Sequence, residues 1–268
     1  MSTTNMEYNI NVSTPNEYQD NNEYYTDKGK IPAWVREACG EFFGMYIFIL
    51  LSLGNVAIYA LYPESKLSWD GLAISWGLNL TFGIYFASLF SKAHLNPAVT
   101  LCCYLFKKNV TLYQMVYYMV SQFLAAFLAA ATIYGLYFNN IKHENDYSGI
   151  FTTYKNKSIT DTTAFFTEFI GTALLVGGIF TIIHLSEKEK ISGKSVPIFV
   201  GAWLTTLTYS LGFQTAFAWN PARDFGPRLF TLMAGFSSFS YLNYWWIPIV
   251  ADFTGAMFGT LVFHLFTC

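Results

Sequence analysis

The tripeptide Asn-Pro-Ala occurs twice inside the apolar part of this 268-residue chain, as Asn96-Pro97-Ala98 and as Asn220-Pro221-Ala222. Proline at the first helical position loses no hydrogen bond and arrives with φ already set, and asparagine is a strong N-cap. Each motif therefore predicts a helix that starts inside the membrane. Two such N-termini that meet would place two positive dipole ends together, which repels cations, while each asparagine amide offers a donor to a passing molecule.

Two carboxylates also lie inside apolar segments, Glu41 and Glu168. A carboxylate at membrane depth is costly and is by default a functional hypothesis, such as a proton relay. The second interpretation is structural, since a non-helical approach to each Asn-Pro-Ala motif leaves backbone N–H groups that an adjacent carboxylate can satisfy. The symmetry of the two positions favours this supporting role.

Three further polar side chains extend this set: Gln122, His94 and Asp252. We expect Gln122 to bond backbone as the glutamates do. His94 is expected to be a buried structural histidine that braces the first loop, with pH gating as the alternative because histidine titrates near neutral pH. Asp252 lies in the last apolar segment, where a buried carboxylate needs a partner or a proton. Its correspondence to Gln122 in the internal repeat suggests that it bonds backbone too.

The elements that must position these residues are apolar helices. Six stretches are long enough to cross about 30 Å of hydrocarbon, namely residues 40–62, 70–90, 113–137, 162–184, 196–215 and 242–266. Two shorter runs, 96–106 and 220–233, each begin at Asn-Pro and cannot cross alone. Non-helical backbone at membrane depth is tolerated only where it is buried or lines a wet cavity, so both runs are predicted to be re-entrant and to face a polar path.

Composition supports an all-α polytopic membrane protein. The chain is 53% hydrophobic and 12% charged, whereas soluble domains carry about 25% charged residues. A net charge of -2 leaves no basic face for nucleic acid. No nucleophile with a base and no metal-ligand cluster recurs at usable spacing, so the sequence predicts neither an enzyme nor a metal or cofactor site.

The second half of the chain repeats the first. The segment Glu41-Phe42-Phe43-Gly44 corresponds to Glu168-Phe169-Ile170-Gly171 at an offset of 127 residues, and the two Asn-Pro-Ala motifs are 124 residues apart. Three spans per half is an odd number, so the halves must have opposite orientations in the membrane. The sequence thus predicts an inverted repeat whose two short helices enter from opposite sides.

The distribution of lysine and arginine predicts the orientation. With the N-terminus inside, the inner segments hold nine of these residues and the outer segments six, which favours two cytoplasmic termini. In that frame Asn156 of Asn156-Lys157-Ser158 lies in an outer loop and is a candidate glycosylation site. Residues 1–33 are polar and acidic and are predicted to form a disordered cytoplasmic tail, with a phosphorylated regulatory tail as the alternative.

From Arg36 onward the arrangement resembles the major intrinsic protein family, the aquaporins and glycerol facilitators. Residues 94–100 (HLNPAVT) and 220–227 (NPARDFGP) match its two signature segments almost residue for residue. The resemblance implies one channel domain over residues 34–268, with repeats at about 34–140 and 160–268. Six transmembrane helices and two re-entrant half-helices would surround a central pore. It also implies a homotetramer in the lipid bilayer, helped by the small residues Ala125-Ala126 and Ala129-Ala130-Ala131.

The resemblance further implies a selectivity filter formed by the second span, the fifth span and the second re-entrant segment. Counting from the two asparagines places its members at Trp76, Thr208, Phe217 and Arg223. The two aromatic rings would form an apolar corner opposite a guanidinium that donates to hydroxyl groups, which suits a polyol such as glycerol. Asp224 and Pro248-Ile249 resemble the glycerol branch, whereas Thr208 replaces the more typical glycine and predicts a tighter filter.

The sequence therefore predicts a passive channel that conducts glycerol and other small neutral solutes together with water and excludes ions and protons. Two alternatives stay open at this point. One is a chiefly water-selective channel with minor glycerol leakage. The other is a proton-coupled secondary transporter that uses Glu41 or Glu168. The plasma membrane is the expected location, with an internal membrane as the alternative.

Overall fold

A computed structural model of the chain describes residues 31–141 and 147–267. Most of the predicted tail, residues 1–30, lies outside this described part. Within these ranges eight α-helices follow one another along the chain: α1 (Ala33–Leu61), α2 (Trp69–Ser88), α3 (Pro97–Cys102), α4 (Leu112–Leu136), α5 (Asp161–Glu187), α6 (Val196–Leu211), α7 (Pro221–Met233) and α8 (Trp246–Thr267).

Six of these helices are long, and five of the six have the length and apolar composition to cross a membrane. The sixth is α2, whose 20 residues span about 30 Å at the usual rise per residue. Two of its polar side chains, Asn79 and Thr81, are buried inside the bundle. Asn79 donates to Ser52 Oγ at 3.2 Å, and Thr81 donates to the carbonyl oxygen of Pro197 at 3.2 Å. These two buried polar residues of α2 therefore bond neighbouring helices.

Both short helices begin where the sequence predicts. α3 starts at Pro97 with Asn96 as its N-cap, and α7 starts at Pro221 with Asn220 as its N-cap. The ends of the long helices differ from the prediction. α1 begins at Ala33, directly after Pro32. Proline has no backbone N–H, so it cannot donate the hydrogen bond that would extend the helix toward the N-terminus. α6 ends at Leu211 rather than at residue 215, since residues 212–214 form a 3-10 turn toward the second motif.

The two halves of the chain are interlocked. α1 packs against α2 and α4, and α5 packs against α6 and α8, as the repeat requires. Each half-helix contacts the last long helix of the other half, α3 against α8 and α7 against α4. The halves also meet where α2 crosses α6. A Cβ atom at Gly77 or Gly201 would lie 2.4 Å from the carbonyl oxygen of the other glycine, so this crossing requires glycine on both helices.

The small residues of α4 have a different role from the one expected. Ala125, Ala126, Ala129 and Ala130 are fully buried within a single chain, so they cannot lie at an interface between copies. A Cβ atom at Gly226 of α7 would lie 2.9 Å from the Cβ atom of Ala126. The expectation that these four alanines help chains to associate is therefore wrong, and Ala126 allows α7 to approach α4. Ala131, the fifth alanine of that expectation, is half-buried.

The connecting segments lie at two opposite ends of the bundle. At one end the Tyr85 hydroxyl, on the last turn of α2, donates to the carbonyl oxygen of Lys194, in the segment after α5, at 2.8 Å. At the other end the backbone N–H of Asn156, after α4, donates to the carbonyl oxygen of Gln214, after α6, at 2.7 Å. This alternation is what six successive crossings require.

Candidate functional site

The two Asn-Pro-Ala motifs meet in the middle of the bundle. Nδ2 of Asn96 donates to the carbonyl oxygen of Trp219 at 2.9 Å, and Nδ2 of Asn220 donates to the carbonyl oxygen of Leu95 at 2.7 Å. Each asparagine thus bonds the loop of the other half. An amide nitrogen carries two hydrogens, so one N–H of each asparagine remains for a molecule beside it.

The side-chain oxygens of the same asparagines cap the half-helices. Asn96 Oδ1 accepts from the backbone N–H of Ala98 at 2.9 Å, and Asn220 Oδ1 accepts from those of Ala222 and Arg223 at 3.1 and 3.3 Å. Because the two capped N-termini are bonded to each other's loops, their positive dipole ends converge at one level of the bundle.

Glu41 holds the loop that leads to the first motif. Its Oε1 accepts from the backbone N–H of His94 at 2.9 Å and from Ser91 Oγ at 2.8 Å, and its Oε2 accepts from the N–H of Leu95 at 2.8 Å. Ala93 and Leu95 have φ values of 53° and 49°, in the left-handed region that L-residues rarely adopt. The fully buried carboxylate therefore stabilises a strained backbone.

Glu168 has the same relation to the second loop. Its two oxygens accept from the backbone N–H groups of Ala218 and Trp219, each at 3.2 Å, and the Tyr244 hydroxyl donates to Oε1 at 3.1 Å. This loop is also strained, with positive φ values at Ala216, Phe217 and Trp219. Both glutamates thus bond loop backbone, as their symmetry suggests.

Three of the four residues expected in a filter form one cluster. The rings of Trp76 and Phe217 have centroids 5.0 Å apart and planes at 84°. Cζ of Arg223 lies 4.5 Å from the Trp76 ring centroid and 5.6 Å from that of Phe217. Nη2 of Arg223 donates to the carbonyl oxygen of Ala216 at 3.3 Å. Its Nε and Nη1 find no hydrogen-bond partner in residues 31–141 and 147–267.

The fourth residue, Thr208, is fully buried on α6. Within the described ranges its hydroxyl has no hydrogen-bond partner, and the same holds for Nε1 of the buried Trp76. The glycine crossing of α2 and α6 holds the two helices that carry these side chains against each other. Buried polar groups are normally hydrogen-bonded, so the unpartnered hydroxyl of Thr208 and ring N–H of Trp76 each indicate a place for a polar guest.

The chain matches the sequence profile described as major intrinsic protein over residues 29–263. The chain belongs to the major intrinsic protein family. It is 34% identical over 260 residues to Aquaglyceroporin-2 of Rhizophagus irregularis, covering 91% of this chain and 79% of that protein. It is 32% identical over 250 residues to the glycerol uptake facilitator protein of Escherichia coli (strain K12), covering 85% and 86% respectively. The X-ray structure of the aquaglyceroporin from Plasmodium falciparum matches with a TM-score of 0.81 and 32% identity, over 88% of this chain and 97% of that one.

In this member of the family, Gln122 and His94 support the first loop through their side chains. Nε2 of Gln122 donates to Glu41 Oε2 at 2.8 Å and to Thr100 Oγ1 at 3.1 Å, so the expectation that it bonds backbone is wrong. Gln122 donates to the Glu41 carboxylate, and that carboxylate accepts from the backbone N–H groups of the loop. His94 is half-buried, with Nδ1 hydrogen-bonded to Thr100 Oγ1 at 3.2 Å and its ring packed edge-on against Tyr118.

Asp224 belongs to a buried ion pair that the sequence analysis missed. Nε and Nη2 of Arg228 donate to its two carboxylate oxygens, each at 2.9 Å, and neither side chain is exposed. The backbone N–H and the hydroxyl of Thr153 donate to Asp224 Oδ1 at 2.7 Å each, and Arg228 also donates to the carbonyl oxygen of Ser238 at 2.5 Å. The pair ties loops on both sides of α7 to that helix. The sequence signal for this pair was the four-residue spacing of Asp224 and Arg228, which places both side chains on one face of a helix.

Asp252 bonds a side chain of α5. Oγ1 of Thr172 donates to Asp252 Oδ1 at 3.0 Å, while Oδ2 receives no hydrogen bond from the residues that the structure describes. The expectation that Asp252 bonds backbone is therefore wrong. The facing helix uses its own backbone N–H groups in its hydrogen-bond ladder, so only side chains are available to a carboxyl group at this place.

Proposed function

We propose that this protein is a passive transmembrane channel that conducts glycerol and other small neutral solutes together with water and excludes ions and protons. The observation that carries the proposal is the cluster of Trp76, Phe217 and Arg223. Two buried rings meet edge to face beside a guanidinium with two donor nitrogens that bond to no residue the structure describes. The rings suit the C–H side of a polyol, and the guanidinium suits its hydroxyl oxygens. Relatives named aquaglyceroporin or glycerol uptake facilitator agree with this substrate class.

Exclusion of cations follows from positive charge at two levels. Arg223 supplies a full charge at the filter, and the N-termini of α3 and α7 supply dipole ends at the two asparagines. A cation would have to lose its hydration beside both. In this proposal the free amide hydrogens of Asn96 and Asn220 bond the oxygen of each water as it passes. This orients the water and interrupts proton hopping along the file.

Glu41 and Glu168 serve as supports in this proposal. Both side chains are fully buried and bonded to loop backbone. A carboxylate that couples transport to a proton gradient must exchange its proton with water on each side in turn. Burial and full use of their oxygens therefore disfavour the proton-coupled transporter. The pair of large aromatic rings at the filter likewise favours a solute with a carbon skeleton over water alone.

We also propose a homotetramer in the plasma membrane with both termini cytoplasmic, on the basis of the lysine and arginine distribution and the family. In this orientation Asn156 faces the outside. Its side chain is exposed, and Oδ1 accepts from the N–H and Oγ of Ser158 at 3.0 Å each. A mobility shift on endoglycosidase treatment that is lost in Asn156→Gln would support glycosylation and outward orientation together.

Stopped-flow light scattering of proteoliposomes tests the proposed function. Vesicles challenged with glycerol or urea should shrink and then reswell, whereas vesicles challenged with sorbitol should only shrink. Rapid shrinkage with no glycerol re-entry would contradict the glycerol assignment. Flux that saturates with concentration and follows a proton gradient would contradict the channel and support a transporter.

A double substitution tests the place of the filter. Phe217→Ala combined with Arg223→Ala removes one ring and the guanidinium, and we expect sorbitol or small ions to enter. Phe213→Ala is the matched control, because Phe213 is 68% exposed and lies outside the cluster. Unchanged selectivity in the double variant, with protein folded and inserted, would mean that the constriction lies elsewhere.

A further inference from the structure

The two halves of the chain differ in the group that supports each glutamate. In the first half, Nε2 of Gln122 donates to Glu41 at 2.8 Å. The position 130 residues later holds Asp252, on the equivalent helix α8. A second carboxyl group therefore stands where the first half has an amide donor.

Asp252 and Glu168 are neighbours. Thr172 donates to Asp252 Oδ1, and it lies four residues after Glu168 on α5, so the two side chains project from the same face of the helix. Both side chains are fully buried, and the bond from Thr172 places the Asp252 carboxyl group one helical turn from Glu168. Two negative charges side by side in an interior are strongly unfavourable, so the pair must share one proton.

The hydrogen bonds decide which residue carries it. Glu168 accepts from three donors, the N–H groups of Ala218 and Trp219 and the hydroxyl of Tyr244, which favours its ionised form. Asp252 accepts from one, and its Oδ2 meets no donor in the described part of the chain. Of the other charged groups near the pair, Asp224 is neutralised by its own arginine, and the charge of Arg223 favours a single negative charge on the pair.

We propose that Asp252 is protonated at Oδ2 and donates this proton in a hydrogen bond to Glu168. Its neutral carboxyl group then does in the second half what the amide of Gln122 does in the first. Asp252 is a positioning residue: it acts through Glu168 on the N–H groups of Ala218 and Trp219, which lie between the proposed filter and Asn220. The protonation state stands independently of the conducted solute, while its effect on solute flux rests on the proposed function.

Infrared difference spectroscopy of the full-length protein in lipid vesicles tests the proton directly. The carbonyl stretch of a protonated carboxylic acid is separate from carboxylate bands. Asp252→Asn should remove one such band and keep the fold, because its amide still donates to Glu168 and still accepts from Thr172. The converse variant Gln122→Glu should add one band. If Asp252→Asn removes carboxylate intensity and leaves the acid band unchanged, Asp252 is ionised and the proposal is wrong.

The positioning role is tested by flux. Asp252→Ala removes the donor, so the second loop should loosen and the glycerol-to-water permeability ratio should change, whereas Asp252→Asn should keep the wild-type ratio. Identical ratios and melting temperatures for the two variants would overturn the positioning role. If Asp252→Ala does not fold, the spectra of Asp252→Asn and Gln122→Glu still decide whether the pair of Asp252 and Glu168 holds a proton, whatever solute the pore passes.

Discussion

Glu41→Gln tests whether a charged carboxylate is what holds the first pore loop. Glu41 accepts four hydrogen bonds at 2.8 to 2.9 Å, from the side chains of Ser91 and Gln122 and from the backbone of His94 and Leu95. Glutamine has one carbonyl oxygen and one NH2 group. In either orientation of the amide, one of the two backbone N–H groups loses its acceptor and faces a donor.

The expected cost follows from these four bonds. A hydrogen bond to a charged group contributes about 1.5–3 kcal/mol and a neutral one about 0.5–1.5 kcal/mol. Losing one charged bond and weakening three by about 1 kcal/mol each gives a destabilisation of about 4.5–6 kcal/mol. Since Ala93 and Leu95 already have strained backbone, the loop should leave its native conformation before the bundle unfolds.

Glu37→Gln on the same helix is the matched control. The side chain of Glu37 is half-buried, and Gln114, Tyr117 and Tyr118 all donate to its Oε2. A glutamine carbonyl can accept all three, so these bonds weaken and none is lost, at a cost of about 3 kcal/mol or less.

Thermal melting in detergent and glycerol flux in proteoliposomes measure both variants. Glu41→Gln should melt well below Glu37→Gln and lose glycerol flux per inserted protein, while Glu37→Gln should conduct. If Glu41→Gln melts with Glu37→Gln and conducts at the wild-type rate, the loop does not depend on the carboxylate, and the supporting role is refuted.

Four further substitutions have definite expected outcomes. Thr208→Gly removes from the proposed filter a methyl group and a hydroxyl that bonds to none of the described residues. It should raise glycerol permeability relative to water in stopped-flow measurements, and an unchanged ratio would exclude Thr208 from the filter. Gly171→Ala should abolish folding or sharply lower the melting temperature, because the new Cβ would lie 2.0 Å from Nε1 of Trp219. In contrast Gly54→Ala, whose Cβ meets only an ordinary contact at 3.5 Å, should stabilise α1 by about 0.5–1 kcal/mol. Arg228→Lys cannot reproduce the bidentate hydrogen bond to the Asp224 carboxylate and should increase proteolysis of residues 147–159 in intact vesicles. Equal cleavage rates for the variant and the wild type would argue against a role of this ion pair in anchoring the segment.

The parts of the site that the sequence could predict are those fixed by local chemistry and helical register. Asn96 and Asn220 begin their helices because asparagine caps and proline starts, whatever surrounds them. The positions of Trp76, Phe217 and Arg223 could be counted from those asparagines by resemblance to the family. The count is reliable because rigid helices keep a fixed rise and rotation per residue. The symmetric placing of two glutamates indicated their bonds to loop backbone for the same reason.

The remaining features depend on contacts between distant segments. The sequence does not show whether the alanines of α4 face the interior of the chain or another copy. In the structure the four buried ones face the interior, where α7 packs closely against α4. Thr153 bonds Asp224 across 71 residues and from a loop, where no periodicity helps. Asp252 was assigned by analogy to a backbone partner, but its neighbours are Thr172 and Glu168, and only packing of α5 against α8 determines that.

The exchange of asparagine bonds between the two halves sets an order of assembly. Asn96 and its acceptor Trp219 are 123 residues apart, and Asn220 and its acceptor Leu95 are 125 apart. A ribosome adds about 5–20 residues per second, so the amide of Asn96 waits on the order of ten seconds for its partner. A nascent chain that stops before Trp219 has its first half-helix but no acceptor for its capping asparagine. The two hydrogen bonds that join the Asn-Pro-Ala motifs therefore form late, after the second half has been made. Quality control that acts before this step meets a protein whose central asparagine and loop carbonyl groups are still unpaired.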